Sequence, residues 1–81
     1  MKLPRDLSGA ELAHRLQRLG YMPTRQTGSH LRLTRTDDTA SHHLTIPLHQ
    51  PLKLGTLAAI LADVAGQHGI DREELLQRLF G

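Results

Sequence analysis

Apolar residues recur along this chain with two periods, and the switches between them mark its elements. Leu12, Leu16 and Leu19, joined by Ala13, fall on one face of a helix. Ser8 and Glu11 precede that stripe at capping-box spacing, the hydroxyl accepting from the Glu11 amide and the carboxylate returning to the Ser8 amide. Gly20 follows where a left-handed C-cap is wanted, so a first helix is predicted over residues 9–19.

From Tyr21 the period drops to two. A strand over 21–26, a turn at Thr27-Gly28 and a second strand over 30–36 are predicted. In the second strand Leu31 and Leu33 point one way while His30, Arg32 and Thr34 point the other. After a polar turn at 37–41, residues 43–48 alternate again, with Leu44, Ile46 and Leu48 facing His43, Thr45 and His49 across the strand. One register consistent with this parity sets His30 opposite His49, Leu31 opposite Leu48 and Leu33 opposite Ile46.

Gln50-Pro51 ends the sheet. Leu57, Ile60, Leu61 and Val64 then mark a second helix that stops before Gly66 or Gly69. Asp71 to Glu74 looks like a capped start for a short terminal helix carrying Leu75, Leu76, Leu79 and Phe80. The order α-β-β-β-α-α predicts an α+β two-layer sandwich: a three-stranded antiparallel sheet with its helices on the leucine face. The opposite face is left open, bearing His30, Arg32, Thr34 and Thr45.

Composition narrows the chemistry. A chain of 81 residues is expected to form one domain, residues 1–81, with a small core built from aliphatic side chains, since it has one Phe, one Tyr and no Trp. Few aromatics also argue against single-strand binding by stacked aromatic platforms. Without cysteine there is no disulfide or thiolate metal site. No apolar run approaches the length of a membrane span, and Met1 to Leu7 lacks the apolar core of a signal peptide, so a soluble cytoplasmic protein is expected.

Charge is distributed unevenly. The net charge is only +2, yet residues 12–36 contain no acid while carrying Arg15, Arg18, Arg25, Arg32 and Arg35. Gly28-Ser29-His30 lies in this stretch, and a titratable imidazole amid uncompensated guanidinium groups suits a polyanion. Arg25 and Arg32 share the sheet with His30. Parity puts Arg35 on the leucine side, whereas Arg15, Arg18, His14 and His68 read as ordinary helix surface. His42 and His43 are adjacent and diverge in a strand, with no acidic or Cys partner at ligand spacing, so no metal and no other cofactor is expected.

Residues 7–70 resemble the HicA-type toxins, small mRNA interferases of bacterial type II toxin–antitoxin pairs. The resemblance rests on Leu16-Gln17-Arg18-Leu19-Gly20-Tyr21, Arg25-Gln26-Thr27-Gly28-Ser29-His30, Ile46-Pro47-Leu48-His49, and Gly55-Thr56-Leu57 followed by Ile60-Leu61, in that order. It implies a fold similar to double-stranded-RNA-binding domains, a catalytic histidine at His30, mRNA as substrate and a HicB-type antitoxin as partner. Thr27 stands where the family often has Lys or Arg, and residues 71–81 lie outside the resemblance. Gly28 and Ser29 would shape the RNA site, with Arg25 and Arg32 on phosphate. His49 is a candidate for RNA contact and a second proton, or merely ends its strand. Two other functions compete: a catalytically silent RNA-binding module, and a protein-interaction module docking through the terminal helix.

Overall fold

A computed structural model describes residues 2–81, so Met1, the start of the expected charged N-terminal stretch, lies outside it. The fold is α+β. Helix α1 spans Gly9–Leu16 and tightens into a 3-10 turn, Gln17–Leu19; strands β1 Met22–Thr27, β2 His30–Thr36 and β3 Ser41–Pro47 follow, then α2 Leu54–His68 and α3 Arg72–Phe80. The strands form one antiparallel sheet in the order β1-β2-β3.

The side-chain caps at Ser8 and Asp71 form, without the predicted return bond from the Ser8 amide to the Glu11 carboxylate. Glu11 N–H donates to Ser8 Oγ at 3.0 Å, and Glu74 N–H donates to Asp71 Oδ1 at 2.8 Å. Gly20 and Gly69 both take left-handed conformations at helix ends. Gly9 has a tighter requirement that the sequence did not announce. Its amide donates to the His49 carbonyl at 2.9 Å, and a Cβ there would stand 1.9 Å from the Pro47 carbonyl oxygen. Only a residue without a side chain lets α1 start this close to β3.

The strand register differs from the expected one by two residues. His30 pairs with Pro47, Leu31 with Ile46 and Leu33 with Leu44. The cause is the hairpin loop. Asp37 Oδ1 accepts from Thr39 N–H, the Thr39 hydroxyl and Ala40 N–H, and the Asp37 amide donates to the Ala40 carbonyl at 3.0 Å. Those bonds hold the Asp37 carboxyl down at a pKa of about 2 and close the loop early, so the ladder begins at Thr36–Ser41. An even shift keeps every side chain on its predicted face.

The core is leucine-rich. Leu12, Leu16, Leu33, Ile46, Leu57, Leu61 and Val64 are all buried within one cluster, each fully buried side chain worth roughly 1.5–3 kcal/mol. Helix α3 belongs to that core: Leu75, Leu76 and Leu79 are each 0% exposed, so these leucines are not free to dock a partner. Arg15 and Arg18 are not idle surface either. Both donate to the Leu79 carbonyl, at 3.4 and 3.1 Å, satisfying the open C-terminal end of α3.

Tyr21 is buried at the junction of sheet and helices. Its hydroxyl lies 2.6 Å from His42 Nδ1 and 3.1 Å from His68 Nε2, while His42 Nε2 is 3.1 Å from Asp63 Oδ1. One phenolic hydrogen serves one ring, so the other ring must donate to the phenolic oxygen. Burial raises the Tyr21 pKa; burial, with Arg35, His42 and Arg78 nearby, lowers that of His68. His68 is therefore part of a half-buried network rather than a solvated helix residue. Arg35 is on the leucine side as parity required, its Nε donating to the Leu19 carbonyl at 2.9 Å. No helix among the described residues is long and apolar enough to cross a membrane.

Candidate functional site

Paired residues of neighbouring strands point to the same side of a sheet, so the register sorts the open face into rungs about 7 Å apart. Thr27, His30 and Pro47 form the first rung, and Arg25, Arg32 and Thr45 the second. Met22, Thr34 and His43 form the third. Every candidate that matters to an anion is on the first two.

The two-residue turn Gly28-Ser29 starts the site. Gly28 takes φ 56°, the left-handed value that a tight hairpin needs at its first loop position, and nothing would touch a Cβ there. Its role is therefore conformational on the protein side, with open space left above the turn. The Ser29 carbonyl accepts from Leu48 N–H at 2.6 Å, which ties the turn to the segment leaving β3. His30, exposed, is the first residue after this anchored turn.

Electrostatics at the second rung run against stability. Arg25 and Arg32 are direct partners across β1 and β2, and like charges so placed repel. None of the strand residues is acidic. The ion pairs among the described residues, Arg35–Asp37, His42–Asp63 and Arg78–Glu74, leave both guanidinium groups uncompensated. A facing pair of unneutralised cations beside an exposed imidazole is an arrangement that an anion would relieve.

Arg25, Thr27, His30, Arg32 and Thr45 together line a shallow depression of about 220 Å³. A larger hollow, about 580 Å³, lies over Glu11, His14, Arg15, Gln17 and Arg18. It has only the outer side chains of one helical segment as walls, so the smaller depression, floored by three strands, is the better site.

The structure thus brings His30, Arg25 and Arg32 together, with Gly28 and Ser29 forming the turn behind them. It does not set His49 opposite His30, which pairs with Pro47 instead. His49 lies past the end of β3 and does not line the depression, although the Leu48 amide bond to the Ser29 carbonyl keeps it beside the turn. Thr27 and Thr45 complete the walls. Among the described residues no three His, Cys, Asp or Glu gather as a metal-ligand set.

The bulge in β1 was invisible in the alternation. Between Pro23 and Arg25 the register slips, adding Thr24 to the polar face, where its hydroxyl reaches Thr34 Oγ1 at 2.9 Å.

A protein-family model described as HicA toxin of bacterial toxin-antitoxin matches residues 9–66, ending before α3. No curated protein matches the chain, and no solved structure does.

Proposed function

This chain belongs to the HicA toxin family of bacterial toxin–antitoxin systems, and from that membership we propose that it is an endoribonuclease acting on mRNA through His30. The observation that carries the proposal is the facing Arg25–Arg32 pair beside an exposed His30 on an acid-free sheet.

RNA supplies its own nucleophile. A base takes the proton of a ribose 2′-hydroxyl, the oxygen attacks the adjacent phosphorus in line, and an acid protonates the departing 5′-oxygen. The phosphorus–2′-oxygen bond forms as the phosphorus–5′-oxygen bond breaks, leaving a 2′,3′-cyclic phosphate and a free 5′-hydroxyl. An imidazole, with its ordinary pKa of about 6.5, can serve either proton transfer near neutral pH, and positioned proton transfer contributes about 10²–10⁴-fold. His30 is assigned that transfer. Arg25 and Arg32 hold the phosphate and balance its developing charge, and Ser29 and Gly28 shape the approach. No metal or cofactor is needed for this chemistry.

His49 is left outside the proton transfers, because it lies beyond the rung that holds His30. The partner is an antitoxin, proposed to be of HicB type, that silences the site by covering the open face. The cytoplasm, where mRNA is found, is the proposed place of action.

Inducible expression of wild type and His30→Ala, with growth and bulk RNA followed, tests the reading. Wild type should arrest growth and fragment mRNA, and His30→Ala should do neither while accumulating as folded protein. Fragmentation by folded His30→Ala would overturn the assignment.

A further inference from the structure

The third rung of the open face carries chemistry that the cleavage reaction does not use. Thr34 Oγ1 stands 2.9 Å from Thr24 Oγ1 on one side and 2.9 Å from His43 Nδ1 on the other, a polar chain crossing all three strands. The β-bulge is what delivers Thr24 to it, and bulges commonly re-aim side chains next to functional sites. When Thr34 donates to Nδ1, the ring's Nε2 carries the hydrogen and points outward as a donor. His43 is exposed. On the same rung Met22, a large apolar side chain, leaves 54% of its surface open to water.

We propose that Met22, Thr24, Thr34 and His43 form a second subsite, which takes the nucleobase of a nucleotide flanking the one at His30. The occupant is single-stranded RNA, and the proposal rests on the reading that this face binds RNA. Charge complementarity supports that occupant: the strands carry Arg25 and Arg32 and no acid.

Spacing supports it too. The third rung lies about 13 Å from His30, with the arginine rung midway. A strand laid across the rungs would therefore place one phosphate at Arg25 and Arg32 and a neighbouring base over the third rung. Met22 and the imidazole offer the flat or polarizable surfaces that a base packs on, and the hydroxyls and Nε2 offer donors to its edge. The only Tyr is buried, so base contact on the third rung falls to these groups.

The test is binding of 5′-fluorescein-labelled uridine 3′-phosphate and octauridylate, by fluorescence anisotropy in a His30→Ala background that leaves the RNA intact. Adding His43→Ala, or separately Met22→Ala, should weaken octanucleotide binding by about fivefold or more and leave binding of the single nucleotide, which has no flanking base, unchanged. Thr34→Val should reproduce the His43→Ala loss, because it removes the hydroxyl that holds the ring. Unchanged octanucleotide affinity in both His43→Ala and Met22→Ala would overturn the subsite even if wild type cleaves RNA. Loss of octanucleotide binding with a wild type that cleaves nothing would support the subsite and overturn the enzymatic reading. An RNA that binds none of the proteins would overturn both.

Discussion

Replacing Arg32 with Thr removes one of two like charges held face to face, and the structure dictates opposite effects on stability and on RNA binding. Arg25 and Arg32 are cross-strand partners, so their side chains rise from Cβ atoms about 4.5–5.5 Å apart, and the guanidinium groups at their ends repel over a Debye length of about 10 Å at 0.1 M salt. No acid on the strands offsets the repulsion. Cross-strand pair effects run to roughly 0.2–1 kcal/mol, and Thr is itself a good strand residue beside Thr34 and Thr45. A gain of about 0.5 kcal/mol corresponds to a rise in Tm of about 2–4 °C for a domain of this size. Thermal unfolding followed by circular dichroism measures it. The gain should shrink near 1 M salt, where the Debye length falls to about 3 Å. The same variant should bind single-stranded RNA with a log-affinity against log-salt slope shallower by about 0.7, one phosphate contact fewer. A lower Tm together with an unchanged salt slope would refute the view of this pair as a strained anion site.

Further outcomes follow from the scaffold. Gly9→Ala drives a methyl group into the Pro47 carbonyl and should cost roughly 1–3 kcal/mol in urea unfolding. Leu79→Ala, at a fully buried position of α3, should cost about 2–5 kcal/mol; a cost near zero would show α3 to be dispensable to the core. His68 resists protonation when folded, so the unfolded chain binds the proton more readily below its ordinary pKa of 6.5. Stability should therefore fall as pH drops below about 6.5, and His68→Gln should flatten that part of the Tm–pH curve.

Much of this was legible in the chain, and what was not has definite causes. Stripes such as Leu12–Leu16, alternation around Leu31 and Leu33, and the caps at Ser8 and Asp71 are local signals, and each produced its element. Arg35 fell on the side that parity required. The register did not follow, because it depends on which loop residues Asp37 captures, and the alternation reads the same two residues along. Arg15 and Arg18 gained their task only from the tertiary placement of the α3 end beside α1. His68 and Tyr21, far apart in sequence, meet only once the sheet and α2 pack. That His30, Arg25 and Arg32 share one face was readable from one motif and one period. The expected pairing of His49 with His30 gave way to Pro47 with His30, and Thr24 was hidden by a bulge that no alternation predicts.

The decisive measurement is end-group analysis of RNA incubated with purified wild-type protein and with His30→Ala in the presence of a chelator. Wild type should yield fragments ending in 2′,3′-cyclic phosphate with 5′-hydroxyl partners, and folded His30→Ala should yield none. Fragments with 5′-phosphate ends, or equal cleavage by the two proteins, would contradict an imidazole at the turn of β1 and β2 as the group that moves the proton.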